Sequence, residues 1–162
     1  MIRIITESTE QTEKLGKLIG SLLNSGDVIC LDGDLGAGKT TLTKSIVKGL
    51  GVDEYVTSPT FTIVNEYEGK VHVNHFDVYR ISDVDEMYDI GYDEYMDSES
   101  VNIIEWSSII KEILPEDRVE INIERLEEDN KRKFNINLIG ERYKELIEEL
   151  KKHENTSNRK FL

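Results

Sequence analysis

The chain has 162 residues, 38% hydrophobic and 33% charged, enough for one domain with a real core and a heavily solvated surface. Its net charge is −13 and no basic stripe that would neutralise nucleic-acid phosphates is visible, which argues against free nucleic acid as a direct partner, and no apolar run nears the roughly 20 residues that span a bilayer. The start, MIRIITESTEQ, soon turns polar and reads as no signal peptide; with the single cysteine, Cys30, it predicts a reducing, cytoplasmic location without membrane contact.

Met1–Ile5 alternates weakly and predicts a short edge strand. Ser8 or Thr9 caps a helix running to about Leu23, with Leu15, Leu18, Ile19 and Leu22 at helical spacing, and NSG (24–26) ends it. DVICLD (27–32) is a short apolar run closing in a glycine loop, hence a buried strand in which Cys30 is a small hydrophobe. The loop opens a helix through Leu50, closed by Gly51. FTIVNEY (61–67) and KVHVNHFDVY (70–79) predict an antiparallel hairpin about a turn at Glu68–Gly69. Residues 82–89 read as a short acidic helix begun by Ser82, VNIIEW (101–106) as a buried strand, and 107–113 as a short helix. Pro115 starts a loop into VEINIER (119–125), and LEEDNKR (126–132) turns that strand into KFNINLIG (133–140), a second hairpin. In ERYKELIEELKKH (141–153), Tyr143, Leu146, Ile147 and Leu150 follow i, i+3, i+4, i+7, an amphipathic helix that docks on the core. One domain over 1–152 is expected, with a disordered tail over 153–162. The class is α/β with a mixed sheet.

GDLGAGKTT (33–41) carries the chemistry. Gly33, Gly38, Lys39 and Thr40 match G-x-x-x-x-G-K-[ST] between a predicted strand and a predicted helix, the context that a phosphate cradle requires. Glycines 33, 36 and 38 let the backbone bend so that its N–H groups and the helix dipole meet phosphates, and the ligand-facing run is Asp34, Leu35, Gly36, Ala37, Gly38, Lys39, Thr40 and Thr41. Lys39 reaches the terminal phosphoryl oxygens, and the Thr40 hydroxyl is the expected Mg²⁺ ligand. A lysine about 4 Å from a phosphate gains roughly 4 kcal/mol at an effective dielectric of 20. Surface carboxylates beyond about 8 Å are largely screened. Net acidity is thus compatible with ATP.

Nucleotide chemistry also needs a carboxylate near the metal, at the carboxyl end of a buried strand beside the cradle. Glu105 ends the run VNII and is the first choice, since a carboxylate after four buried positions needs a partner. Asp77, on a strand face with His75 and Tyr79, is the second, as a metal or water-positioning acid; a surface strand carboxylate is its rival reading. Thr57, Ser58 and Thr60 surround Pro59 in VTSPTF, where hydroxyls can reach the γ-phosphate as in a switch loop, or simply cap a turn. Trp106 is more often core than site. His72 and His75 fall on opposite strand faces, against a zinc site.

LDGDLGAGKTTLTKSIVKGLG, VTSPTFTIVNEY, HFDVYRI, DIGYDEY and IIEWSSIIKEILPEDRVEINI together resemble the bacterial TsaE family, formerly YjeE, over about residues 8–125. The resemblance implies a P-loop NTPase-like three-layer fold with a mixed parallel and antiparallel central sheet, and ATP bound with Mg²⁺. It implies slow hydrolysis by the isolated protein and two partners, TsaD and TsaB. Those partners place threonylcarbamoyl on adenosine 37 of tRNAs reading codons that begin with A. The family member is not the transferase; its ATP cycle resets or licenses the TsaB–TsaD complex, and tRNA is met only through that complex. Carried over by position, Lys39 and Thr40 belong to the cradle and Thr60 to the switch-like loop. Asp77 and Glu105 are the two acids near the metal, and Trp106 lies beside the nucleotide. Thr9 and Thr12 resemble a region near the base, and Arg132 or Lys131 would supply the cation of the C-terminal segment. Where the family often has Arg-Gly, this chain has Lys44-Ser45, without the guanidinium fork.

The expected function is therefore an ATPase serving a tRNA-modifying complex, with Lys39, Asp77 and Glu105 as the reacting groups. A small-molecule kinase on the same cradle is the first alternative. It would require a lid with extra arginines, and between residues 52 and 120 only Arg80 and Arg118 are present. A nucleotide-gated binding protein without meaningful turnover is the second.

Overall fold

Ser8 caps the first helix: its hydroxyl accepts the Gln11 N–H at 3.2 Å, and the chain enters α1 (Thr9–Leu22) from β1 (Ile2–Thr6). The computed structural model describes residues 1–59, 62–128 and 130–154, so Thr60 and the tail over 155–162 lie outside the described residues. β2 (Val28–Gly33) leads through the glycine loop into α2 (Lys39–Gly49). There follow β3 (Val64–Glu68), β4 (His72–Asp77), α3 (Asp85–Asp89), α4 (Tyr92–Asp97) and β5 (Ser100–Glu105). A 3-10 helix (Ser107–Ile113), β6 (Arg118–Arg125), β7 (Arg132–Ile139), a 3-10 turn (Glu141–Tyr143) and α5 (Lys144–Lys151) complete the order.

The strands form one seven-stranded mixed sheet in the order β1-β7-β6-β2-β5-β4-β3. β2 lies parallel between β5 and β6, and β4 runs parallel to β5. The two hairpins, β3–β4 and β6–β7, are antiparallel, as is β1 on β7, so the sheet has a parallel centre and antiparallel flanks. Leu15 and Ile19 of α1, Leu42 and Ile46 of α2, and Leu146 and Leu150 of α5 pack on one face against Ile29, Leu31, Val101, Ile103, Ile121 and Phe134. On the other face Met87, Tyr92 and Ile110 cover Val28, Cys30, Phe76 and Ile104. The expected mixed α/β fold is the observed one. Cys30 is fully buried, and burial pushes its thiol up to about 12, as suits a small core hydrophobe. Among the described residues no helix is long and apolar enough to cross a membrane.

α1 and α2 meet through backbone. A Cβ on Gly20 would stand 2.1 Å from the Ile46 carbonyl oxygen, and one on Gly49 would stand 2.4 Å from that of Lys17. Ser45, the departure from the family's glycine, sits opposite Gly16, whose absent Cβ would fall 2.3 Å from the serine Cβ. Alanine favours a helix over glycine by about 1 kcal/mol, yet Gly20→Ala is expected to destabilise by roughly 1–3 kcal/mol through overpacking. A lower urea midpoint is the expected reading; an unchanged midpoint would show that the helices part freely.

Four expectations are corrected. Phe61, the predicted start of the first hairpin strand, lies outside the described residues, and β3 takes in neither Thr62, whose hydroxyl donates to Asn65 Oδ1 at 3.1 Å, nor Ile63. The acidic helix predicted from Ser82 begins at Asp85, where Asp83 Oδ1 rather than Ser82 takes the Asp85 N–H. α4 was not predicted: it buries only Tyr92, too little to leave an apolar period, and starts from Gly91 at φ 88°. The C-terminal helix is shorter than 141–153. Tyr143 Oη accepts the Val28 N–H at 3.1 Å and Arg142 Nε donates to Asp27 at 2.8 Å, holding the 3-10 turn against the start of β2. The helix then docks on the core as expected.

Candidate functional site

β2, β5 and β4 end together, and Gly33, Glu105 and Asp77 stand at those carboxyl ends, where open α/β sheets bind ligands. Gly33 passes so close to β6 that a Cβ would lie 2.5 Å from the Ile123 carbonyl oxygen. Gly38 takes a left-handed conformation at φ 115° as the N-cap of α2. It has no side chain to bond the first-turn N–H groups, and that turn holds no acidic residue. The helix start is thus a donor set for an anion. Leu35 is 80% exposed at the outer lip of the loop.

Lys39 reaches back across this loop. Its Nζ donates to the carbonyls of Gly33 at 2.7 Å and Asp34 at 2.9 Å, and stands 3.9 Å from the Trp106 ring centroid. Burial pushes the ammonium below the ordinary lysine range, against the attraction of Glu105, Asp32, Asp77 and Asp34. Trp106 is left-handed at φ 63°, a conformation that costs a non-glycine residue about 1–3 kcal/mol. Three contacts hold it. Its N–H donates to Leu31 O at 2.9 Å, its ring meets Tyr79 at 4.7 Å, and Asp32 fastens the next turn by accepting from Ser107 Oγ and from the Ser108 N–H at 3.0 Å.

Thr40 and the two acids form one array. Thr40 Oγ1 donates to Glu105 Oε1 at 2.9 Å. The other oxygen, Oε2, is bonded by His75 Nε2, and both partners of that bond are buried. Asp77 is the register partner of Glu105. Its Oδ2 accepts from Ser58 Oγ at 3.2 Å and its Oδ1 from the Tyr79 N–H at 3.1 Å. The segment carrying Ser58 is fixed to β3, since Thr57 N–H donates to Tyr67 Oη at 3.3 Å and Asn65 Nδ2 to Thr57 O at 3.2 Å. One hydroxyl and two carboxylates make an oxygen-only donor set, the kind a small hard cation prefers. His72 turns to the opposite strand face and bonds Glu66 and Glu68.

On the far side of the cradle, a cleft of about 90 Å³ is lined by Thr9, Thr12, Thr41, Asn130 and Arg132, with Ala37 and Gly38 at its floor. Arg132 Nε donates to Ala37 O at 2.8 Å, so the start of β7 is tied to the loop. Lys131 turns instead towards Glu128, at 3.9 Å. The structure therefore gathers Thr9, Asp34–Thr41, Asp77, Glu105, Trp106 and Arg132 around one loop. Sequence reasoning missed Asp32 and the bond from His75 to Glu105. Strand alternation was the available signal for His75, since it lies two residues from Asp77 on the same face.

Similarity to known proteins agrees with this geometry. The sequence model described as "Threonylcarbamoyl adenosine biosynthesis protein TsaE" matches residues 6–134. The chain belongs to the TsaE family. It is 45% identical over 154 residues to the tRNA threonylcarbamoyladenosine biosynthesis protein TsaE of Bacillus subtilis, covering 94% of this chain and 96% of that one. The TsaE of Treponema pallidum is 38% identical over 130 residues, 80% of this chain and 96% of that one. The crystal structure of Bacillus subtilis YdiB superposes with a TM-score of 0.77 at 39% identity, covering 96% of this chain and 99% of the other. The TsaE match extends past residue 125, where the resemblance thins, and takes in Arg132 at the cradle.

Proposed function

We propose that this TsaE-family chain binds ATP with Mg²⁺ and hydrolyses it slowly alone and faster with TsaB and TsaD, in support of threonylcarbamoylation of tRNA adenosine 37. The observation that carries the reading is the convergence of a lysine-bearing anion cradle with the Thr40–Glu105–Asp77 array at one end of the parallel strands. The cradle N–H groups and Lys39 bind phosphates. Thr40, with Glu105 directly or through water, would hold Mg²⁺, which when bound neutralises charge on the transferring phosphoryl group. Asp77 orients or deprotonates the attacking water. Ser58, hydrogen-bonded to Asp77, ties the loop after α2 to that carboxylate, so the loop feels what Asp77 touches. Thr9, Thr41 and Arg132 border the side of the cradle where the rest of the nucleotide would lie.

Phosphoryl transfer to a small acceptor is the rival reading. Its support is a cleft of about 230 Å³ beside Asp77 that includes Ser58, Tyr79, Arg80 and Glu86. Steady-state ATP hydrolysis with and without purified TsaB and TsaD separates the two. The expected result is a rate that rises with the pair. A rate indifferent to the pair, with phosphate appearing on a small acceptor, overturns the proposal in favour of a kinase.

A further inference from the structure

His75 is wholly buried on β4, and its imidazole does two unequal things. Nε2 meets Glu105 Oε2, while Nδ1 has no hydrogen-bond partner among the described residues. An imidazole that only filled space would be poorly suited to this position, because an apolar side chain would fill it without stranding a nitrogen. The bond to Glu105 explains its presence. With Nε2–H as the donor, Nδ1 keeps a lone pair rather than an unmet N–H, the less costly orphan.

The geometry also limits what Glu105 can do alone. Thr40 Oγ1 holds Oε1 at 2.9 Å and the imidazole holds Oε2, so the carboxylate is gripped at both ends. The Thr40 hydroxyl would ligate a cation through a lone pair while its proton stays on Oε1, and the His75 bond to Oε2 is the second fixed point that sets the carboxylate plane. We propose that His75 is the positioning residue of this site: it holds Glu105 in the orientation that serves a divalent cation, and so governs metal affinity rather than nucleotide affinity. The inference rests on the metal-dependent reading above.

The test is Mn²⁺ binding to the ADP-loaded protein, followed by electron paramagnetic resonance, beside calorimetric ADP binding in EDTA. His75→Leu removes the donor, and His75→Gln returns an amide N–H near the Nε2 position. Loss of an outer-shell hydrogen bond typically weakens metal binding about 10–100-fold. The expected result is a loss in that range for His75→Leu, ADP affinity in EDTA within about twofold of wild type, and recovery of most Mn²⁺ affinity in His75→Gln. Equal loss of metal-free and metal-bound nucleotide affinity, unchanged Mn²⁺ affinity, or no recovery in His75→Gln overturns the inference. Should the leucine variant not fold, His75→Asn decides: its amide falls short of Glu105, and undiminished Mn²⁺ affinity overturns the inference. Wild-type protein that binds neither Mn²⁺ nor ADP would refute the metal-dependent reading itself, a distinct failure.

Discussion

Lys39→Ala is expected to weaken ATP binding by about a hundredfold, near 3 kcal/mol, the upper range for a charge-assisted hydrogen bond. The side chain bonds two loop carbonyls and the Trp106 ring, so its reach to a phosphate requires only that it leave contacts inside the cradle. The fold itself should tolerate the change. Burial already outweighs the attraction of Glu105, Asp32, Asp77 and Asp34 and pushes the ammonium below its ordinary range, so the charge is a burden on the unliganded protein. The unfolding midpoint should stay within a few degrees of wild type, about 1 kcal/mol. The pH dependence carries a definite sign. A phosphate returns the lysine towards its ordinary range, so binding takes up protons at alkaline pH and ATP affinity falls as pH rises through the lowered titration. Isothermal calorimetry in buffers of different ionisation enthalpy measures that uptake, which should be absent in Lys39→Ala. Wild-type affinity in the variant would sink the cradle assignment.

Glu105→Gln is expected to lower partner-stimulated turnover about a hundredfold, equivalent to about 2.7 kcal/mol, while metal-free ATP binding stays near wild type. Two donors, the Thr40 hydroxyl and His75 Nε2–H, converge on the carboxylate from opposite sides. An amide offers one oxygen and one NH₂; with the oxygen on His75 Nε2–H, the NH₂ meets Thr40 Oγ1, whose hydroxyl turns to accept, so the buried bonds are kept while the charge is lost. The melting temperature should stay within a few degrees of wild type, about 1 kcal/mol, so that the lost rate reports the lost charge. Full turnover in this variant would assign the metal-side role to Asp77 alone.

The readable parts of the sequence were those whose signal is local. Ser8 bonds three residues ahead, the glycine loop is contiguous, and strand alternation sets His75 and Asp77 on one face, so helix cap, cradle and candidate acid could be named in advance. The rest depends on contacts between residues distant along the chain. Arg132 meets Ala37, Ser108 meets Asp32, and Tyr143 meets Val28; no periodicity encodes such pairs. α4 escaped because a helix with one buried residue leaves no stripe. The left-handed turn at Trp106 escaped because residue type gives no warning there: tryptophan is a residue for which that conformation is strained.

That turn has an optical consequence. Trp106 is the chain's single tryptophan, and its ring contacts both the Tyr79 ring and the Lys39 ammonium. Every photon of indole emission from this protein therefore originates beside the phosphate cradle, undiluted by other chromophores of its kind. On the proposed ATP-binding reading, Lys39 leaves the ring for an anion and a full positive charge leaves the indole face. On that reading the molecule carries a label-free spectroscopic readout of a side chain whose position differs between an empty and a filled cradle.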